Sequence, residues 1–356
     1  FINEYTQTLK VVILLLLIVN LIARSDYLKK ERINSFEFII LYILSGLGFM
    51  FLVSSNNILS LFLSLELQSL SFYILTSYKR TDELSVEAGL KYFVFGAFSS
   101  GILLFGASLL YGITGTIAFS DYALIFSTAV SSNITTNSTI FLSLLFVFIG
   151  FLFKMYAAPF YIWVPDIYQG SPTNVTTYFA TTPILGVGGI FVYLTTNIFY
   201  EFILEWRDIF VICCIMSMVI GAFAAVFQKQ LKRLIAYSSI HHVGFFLLVA
   251  VLGQYEALQA FFFYVLIYII TMVGFFSSIM ALRKRSINSI VVYLKDLVSL
   301  YKINPLLALT IAIYFFSMAG FPPLAGFFSK LYVFMSAIEN SYYFYTMLGV
   351  ITSSIS

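Results

Sequence analysis

Four charged residues lie in segments that are otherwise apolar: Glu66, Lys91, Lys154 and Lys330. Only 10% of the chain is Asp, Glu, Lys or Arg, so charges inside the apolar segments stand out. An ionisable side chain near the centre of a bilayer costs roughly 2.5–3.5 kcal/mol on insertion scales. Carboxylates and amines bind and release protons, and the folding of an apolar helix does not require them. The pattern therefore predicts a pathway for protons or other ions.

Two of these lysines accompany prolines inside apolar segments. Lys154 is followed by Pro159, and Pro322 and Pro323 precede Lys330. A proline inside a membrane helix frees a backbone carbonyl and breaks the helix, and broken helices are tolerated where they line a cavity. We therefore predict discontinuous helices at Pro159 and at Pro322 and Pro323. For Lys154 the alternative is a buried structural ion pair.

Glu66 and Lys91 occupy different positions along their segments. Glu66 lies near the middle of an apolar run, where a carboxyl group either takes part in proton transfer or only packs as a protonated group. Lys91 lies nearer the end of its run, four residues after Glu87, a spacing that permits an ion pair on one helix face. The alternative for Lys91 is a lysine that extends to the membrane surface.

The two histidines of the chain, His241 and His242, are adjacent and also lie in an apolar run. A histidine titrates near neutral pH, so the pair is a candidate proton relay. The alternative is a hydrogen bond to a neighbouring helix.

The composition predicts the surroundings of these residues. Hydrophobic residues make up 61% of the 356-residue chain, and the mean hydropathy is +0.97. Soluble domains contain roughly 45–50% apolar residues, so this is a polytopic membrane protein in contact with lipid. The net charge of +3 does not indicate a nucleic-acid partner. The adjacent Cys213 and Cys214 suit neither a disulfide framework nor an ordinary metal site.

Segments of about 20 mostly apolar residues predict eleven membrane-spanning helices. They are 9–24, 36–54, 58–78, 85–111, 139–164, 176–197, 208–228, 234–253, 257–282, 306–336 and 341–354. The stretch 116–138 is predicted to be a loop, because its apolar part, 122–130, is too short to cross a bilayer.

The positions of the basic residues agree with this count. Of nineteen lysines and arginines, fourteen fall on one predicted side, two on the other and three within spans. Because basic residues concentrate on the cytoplasmic side, the N-terminus is predicted to lie on the opposite side. The two proline-broken spans are five spans apart, an odd offset that predicts inverted repeats, 36–197 and 208–356, the second expected to be incomplete.

Several segments carry a resemblance to a known family. Asp166-Ile-Tyr-Gln-Gly-Ser-Pro172 and the residues that follow it closely resemble the chain 2 family of antiporter-like membrane subunits of NADH:ubiquinone oxidoreductase, respiratory complex I. The resemblance covers about residues 58–335. The element from Asp166 to Pro172 is quite specific to chain 2. The other matching segments are 87–93, 99–101, 232–244 and 322–330.

The resemblance implies a fold and a function. The fold would be two inverted five-helix repeats, each with a discontinuous helix. Glu66 would face the neighbouring channel, Lys91 and Lys154 would belong to the first half-channel, and Lys330 would lie on the exit side. Quinone reduction in other subunits would drive protons along these residues. NADH, FMN, iron–sulfur clusters and ubiquinone would be handled by other subunits, so no cofactor is expected in this chain. Its neighbours would be subunit 4 and the small quinone-end subunits.

The chain departs from the family pattern in two respects. Glu66 lies on the third predicted span, whereas the family places it on the fifth, so the chain is expected to lack the first two family helices. Many relatives also carry a lysine where this chain has Ile184, directly after Pro183. Water, tyrosine side chains, or His241 and His242 are candidate replacements for that lysine.

Three other interpretations remain open at this point. One is a subunit of a multisubunit cation/proton antiporter. Another is a structural membrane subunit without its own proton channel. The third is a bacterial or chloroplast counterpart, although the richness in Phe and Tyr favours the mitochondrial inner membrane.

Overall fold

The computed structural model describes residues 3–23, 27, 31, 35–129, 134–253, 255–282, 291–298 and 300–355. Within these residues the secondary structure consists of fifteen α-helices with short 3₁₀ and π segments. The helices are α1 Glu4–Ala23, α2 Phe36–Ser54, α3 Ile58–Thr76, α4 Glu83–Thr114, α5 Phe119–Ala129, α6 Ile134–Lys154, α7 Val164–Gly170, α8 Thr173–Tyr193, α9 Ile203–Val226, α10 Leu231–Leu252, α11 Tyr255–Ala281, α12 Leu300–Ile303, α13 Pro305–Ala319, α14 Ala325–Glu339 and α15 Tyr343–Ile355.

Eight helices among the described residues are long and apolar enough to cross a membrane: α1, α2, α3, α4, α8, α9, α10 and α11. The three other predicted spans fall on shorter apolar helices, Ser138–Lys154 within α6, then α13 and α15. An all-helical, multi-pass membrane protein is therefore confirmed. The number of eleven spans stays a prediction.

Helix α8 is the centre of the molecule, with every residue from 173 to 192 buried. Helices α1, α2 and α11 pack against it, and most of α10 is also buried. The outer helices instead expose large apolar side chains, among them Leu15 and Ile18 on α1 and Val94 and Phe98 on α4. An apolar outer surface around a more polar interior is the arrangement that a lipid environment favours.

Two isolated antiparallel bridges join loops to helix starts. Asn57, before α3, pairs with Ala118, and Gln230, before α10, pairs with Tyr293. Each bridge contains two hydrogen bonds. In each of them, the N–H of the residue that follows one bridge partner donates to the carbonyl oxygen of the residue that precedes the other partner. The N···O distances are 3.0 and 3.1 Å in both bridges. The two bridges thus have the same hydrogen-bond pattern, and each lies directly before the start of a long helix.

The prediction of a loop over 116–138 was wrong, because Phe119–Ala129 forms α5. Phe119, Tyr122 and Phe126 are spaced by three and four residues, so they share one helix face, and all three are buried. The Phe126 ring lies 5.1 Å from that of Phe202. An eleven-residue helix extends about 16 Å and is too short to cross a bilayer. Searching the sequence for membrane-spanning segments therefore does not detect it. Residues 130–133 lie outside the described residues.

Two predicted spans are interrupted. Helix α6 ends at Lys154 and α7 begins at Val164, while α13 ends at Ala319 and α14 begins at Ala325. Lys154 is therefore the last residue of its helix, directly before the interruption. Both interruptions contain a cis proline bond, at Ala158–Pro159 and at Pro322–Pro323. We call residues 155–163 the first break and residues 320–324 the second break.

The predicted orientation depends partly on residues that the structure does not describe. Seven of the basic residues used for it lie outside the described residues: Arg24, Lys29, Lys30, Arg32, Arg283, Lys284 and Arg285. Lys232 and Arg233, assigned to a loop by the sequence, belong to the first turn of α10. The orientation stays a prediction.

Candidate functional site

The first break leaves Lys154 buried at the end of α6. The lysine is 5% exposed, and its Nζ has no hydrogen-bond partner among the described residues. The backbone of the break is held from α9, because the Ala158 N–H donates to the Ser217 hydroxyl at 2.9 Å. A buried amine without a partner is costly in a low dielectric, so its charge depends on whatever charged group lies nearby.

Glu66 on α3 is that nearby group. Its Oε1 is buried and has no hydrogen-bond partner among the described residues. The carboxylate interacts electrostatically with Lys154 and with the hydroxyls of Tyr73 and Tyr92. The structure therefore places Glu66 within electrostatic range of Lys154, and neither Glu66 Oε1 nor Lys154 Nζ has a hydrogen-bond partner among the described residues.

Gly96 on α4 makes room for Tyr73 beside Glu66. A Cβ at Gly96 would lie 2.1 Å from the Tyr73 hydroxyl oxygen, so a side chain there would displace the tyrosine. Gly101, one turn further on the same helix, has no atom within 4 Å of such a Cβ. Within the described chain, Gly96 is therefore a position of close helix packing and Gly101 is not.

Lys91 lies in a separate, half-exposed network of charges. Its Nζ is 2.7 Å from Glu87 and 2.8 Å from Asp166, and Arg233 binds the other oxygen of Asp166 at 2.8 Å. The four side chains are 35–57% exposed, so the pairs are partly screened by their surroundings. The network joins α4, α7 and α10.

Sequence reasoning missed two members of this network. Asp166 entered only as part of the element that carried the family resemblance, and Arg233 only as a basic residue that set the orientation. The signal that could have found Asp166 was its position just after Pro165, at the start of a short helix that follows the predicted break.

An aromatic stack joins α4, the first break and the end of α6. The Trp163 ring lies 5.1 Å from Tyr92 and 5.4 Å from Phe153, stacked in both cases. Tyr92 directly follows Lys91, and Phe153 directly precedes Lys154. Each of the two lysines predicted for one half-channel thus neighbours, in the sequence, one ring of the same stack.

The second break positions Lys330 differently. Lys330 is 4% exposed, and its Nζ donates to the carbonyl oxygen of Ala319, the last residue of α13, at 3.0 Å. The Nζ also lies 5.5 Å from the centre of the Phe245 ring. The C-terminal carbonyls of a helix carry a partial negative charge, so the broken helix itself stabilises this cation.

A small cavity adjoins Lys330. It is lined by Lys330, His242, Tyr264, Tyr268, Ser317 and Ser329, together with apolar groups. Its volume of about 10 Å³ is near the lower limit for one water molecule. The cavity thus gathers a titratable amine, an imidazole and several hydroxyls at the second break.

The two histidines point to different helices. His241 Nδ1 lies 3.0 Å from the carbonyl oxygen of Met218 on α9, so this nitrogen carries the proton. His242 Nδ1 is 2.6 Å from the Tyr264 hydroxyl on α11, and His242 lines the cavity of Lys330. The structure therefore brings His242, and not His241, to the cavity.

Ile184 is fully buried in α8, directly after Pro183. The side chain at this place has no group that binds a proton. The Tyr156 hydroxyl, from the first break, reaches the carbonyl oxygen of Ala180 one turn earlier, at 3.4 Å.

The described residues contain no group of three or more His, Cys, Asp or Glu side chains that could hold a metal ion. Cys213 and Cys214 are buried free thiols.

Comparison with solved structures defines the class of protein. A chain of respiratory complex I from Thermus thermophilus superposes with a TM-score of 0.82 at 30% identity, over all of this chain and 74% of that one. A chain of the Mrp complex from Dietzia sp. superposes with a TM-score of 0.81 at 20% identity, over 100% and 64% of the two chains, and shares the fold. The class is that of antiporter-type membrane subunits.

The sequence comparisons give the particular family. A family model described as NADH:quinone oxidoreductase/Mrp antiporter, TM, matches residues 55–356. NADH-ubiquinone oxidoreductase chain 2 of Marchantia polymorpha is 42% identical over 359 residues, which cover 100% of this chain and 72% of that protein. NADH-quinone oxidoreductase subunit N of Paramagnetospirillum magneticum is 43% identical over 330 residues, covering 93% and 67%. The chain belongs to the chain 2/subunit N family, a membrane subunit of proton-pumping NADH:quinone oxidoreductase, respiratory complex I, and the predicted resemblance is confirmed.

Proposed function

We propose that this subunit translocates protons along Glu66, Lys154 and Lys330, with Lys91 on the entry side. The observation that carries the proposal is the state of Lys154, a buried amine without a hydrogen bond whose electrostatic partner is Glu66 on another helix. Because the two groups interact in a low dielectric, the proton affinity of each depends on the charge of the other. A charge change at one group therefore moves a proton at the other.

The proposed cycle alternates two charge states. With Glu66 ionised, the attraction holds a proton on Lys154. When Glu66 is protonated or its charge is countered, that attraction disappears and Lys154 releases its proton toward Lys330. Quinone reduction elsewhere in the complex would impose these changes on Glu66.

We also propose that residues 36–197 and 208–356 are two inverted repeats of five helices. The support is the correspondence between the halves. Each half has one isolated bridge with the same hydrogen-bond pattern, and each has one broken helix beside a buried lysine. The two bridges and the two breaks follow each other in the same order along the chain.

The setting of the subunit follows from the family. We propose that redox cofactors and the quinone are bound by other subunits, and that this chain lies between subunit 4 and the quinone-end subunits. The relatives come from both a plant and bacteria, so the membrane is mitochondrial or bacterial. The 40 Phe and 25 Tyr favour the mitochondrial inner membrane.

The test is proton pumping by intact complex carrying Lys154→Met, reconstituted in proteoliposomes. Pumping and NADH:quinone turnover are expected to fall by an order of magnitude or more, the usual effect of removing a proton-transfer group, while the complex still assembles. Lys79→Met is the matched control, because Lys79 is a half-exposed lysine paired with Glu31 at 3.1 Å. Unchanged pumping in Lys154→Met would make the lysine a structural partner and the subunit a scaffold.

A further inference from the structure

Four buried hydroxyl groups lie together between the two breaks. They belong to Tyr156 in the first break, Tyr168 on α7, Ser239 on α10 and Tyr268 on α11, and all are 3% exposed or less. The hydroxyls of Tyr156, Tyr168 and Tyr268 interact with one another, and Ser239 interacts with Tyr168 and Tyr268. We call these four residues the hydroxyl cluster.

One end of the hydroxyl cluster adjoins Lys154. Tyr156 follows Lys154 by two residues, and its backbone is in the left-handed region, with φ of 51°. This uncommon conformation turns the chain away from the axis of α6. The Tyr156 hydroxyl then reaches the Ala180 carbonyl, at the level where α8 carries the inert Ile184.

The other end adjoins Lys330. The Tyr268 ring lies 5.0 Å from the ring of His242, and Tyr268 lines the same cavity as Lys330. One residue, Tyr268, therefore belongs both to the hydroxyl cluster and to the cavity of the second lysine.

Two members of the cluster are not hydrogen-bonded in the usual way. The hydroxyls of Tyr168 and Tyr268 are buried and make no hydrogen bond of normal geometry among the described residues. Their interactions with the other members of the cluster therefore lie outside normal hydrogen-bond geometry, and a buried hydroxyl that lacks a well-formed hydrogen bond costs roughly 1–3 kcal/mol. If the hydroxyls of Tyr168 and Tyr268 exchange hydrogen-bond partners during a proton transfer, neither needs one fixed partner.

We propose that the hydroxyl cluster is the proton relay between Lys154 and Lys330. The Lys154 ammonium gives a proton to a hydroxyl oxygen while the proton of that hydroxyl passes to the next oxygen. The neutral Lys330 amine accepts the last proton through the cavity. Lys154 ends neutral, Lys330 ends as an ammonium, and each hydroxyl keeps one proton and resets by rotation. The proposal rests on the proposed function and names the groups that complete it.

The test removes single hydroxyls from the intact complex. Tyr168→Phe and Tyr268→Phe keep the rings and delete only the hydroxyl oxygen. Proton pumping in proteoliposomes is expected to fall by about tenfold or more, with complex content and NADH:ferricyanide activity unchanged. Tyr122→Phe is the matched control, because the Tyr122 hydroxyl is equally buried and unpartnered but lies on α5, outside the cluster.

A second variant protects against a folding artefact. Ser239→Ala removes a much smaller group, and it decides the question if the tyrosine variants fail to assemble. Pumping within about twofold of the Tyr122→Phe control in an assembled cluster variant would overturn the relay. Lys154→Met measured in parallel separates the two proposals. If Lys154→Met loses pumping and the hydroxyl variants do not, the proposed function stands and the relay fails. If Lys154→Met also pumps normally, both fail.

Discussion

The two breaks hold their buried lysines by different means. Lys154 ends the helix before the first break and depends on Glu66, a charge on a different helix. Lys330 lies in the helix after the second break and donates to the Ala319 carbonyl of the helix before it. A lysine that depends on a charge on another helix responds when that charge changes. A lysine held by its own broken helix keeps that stabilisation when a charge elsewhere changes.

The backbones of the two breaks also differ. At the second break, α14 packs so closely on the end of α13 that only glycine fits at position 326, and the Gly326 N–H donates to the Ser317 hydroxyl at 3.2 Å. At the first break, one serine on another helix, Ser217, holds the Ala158 N–H. The second break is therefore constrained by a close backbone contact at Gly326, and the first is tied to neighbouring helices by hydrogen bonds from Ala158 and Tyr156.

The largest expected effect is that of Gly326→Ala. Its Cβ would lie 1.7 Å from the carbonyl oxygen of Ser317, a backbone atom that cannot move aside easily. We expect the complex to lose this subunit or to contain it at greatly reduced levels, measured by complex content in the membrane. Gly101→Ala is the control, because no atom lies within 4 Å of its Cβ. Normal levels of Gly326→Ala would show that the second break is more adaptable than its packing indicates.

The second largest expected effect is that of Glu66→Gln, which tests the different electrostatic surroundings of Lys154 and Lys330. Glu66→Gln removes the charge on which Lys154 depends and leaves the contact between Lys330 and Ala319 intact. We expect proton pumping to fall by about tenfold, which corresponds to roughly 1.4 kcal/mol of lost coupling. The measurement is the initial pumping rate in proteoliposomes, with Glu201→Gln as a surface control. Equal pumping by the two variants would contradict the dependence of Lys154 on Glu66.

The smallest effect concerns the first break. Ser217→Ala leaves the buried Ala158 N–H without an acceptor, which costs about 1–3 kcal/mol. We expect a lower temperature of thermal unfolding for the purified complex and little change in pumping at low temperature. Ser100→Ala, an exposed serine on α4, serves for comparison. A collapse of assembly as severe as that of Gly326→Ala would remove the distinction between the two breaks.

Much of this architecture could be predicted from local sequence. Long apolar runs indicate membrane helices, because the bilayer sets their length, and the multi-pass helical fold is confirmed. Prolines next to buried lysines marked the places where α6 and α13 end. The family follows from segments such as 166–176 and is also confirmed. The roles of Glu66, Lys91, Lys154 and Lys330 stay predictions.

The features that sequence reasoning missed depend on contacts between distant segments. Asp166 meets Lys91 and Arg233 only because α4, α7 and α10 converge. Tyr168 and Tyr268 are ordinary tyrosines in the sequence, and they become neighbours only when α7 packs near α11. Helix α5 was missed because its short apolar face binds other helices instead of lipid.

Helix α8 also bears on how the chain is made. It has no residue from 173 to 192 that faces outward, and it is the least apolar of the eight spanning helices by mean hydropathy. Such a helix gains little from lipid, because its mean hydropathy is low and neighbouring helices cover its whole surface. It is therefore expected to leave the insertion machinery together with neighbouring helices. The order in which α1, α2 and α11 arrive around it would then decide whether the subunit is completed or degraded.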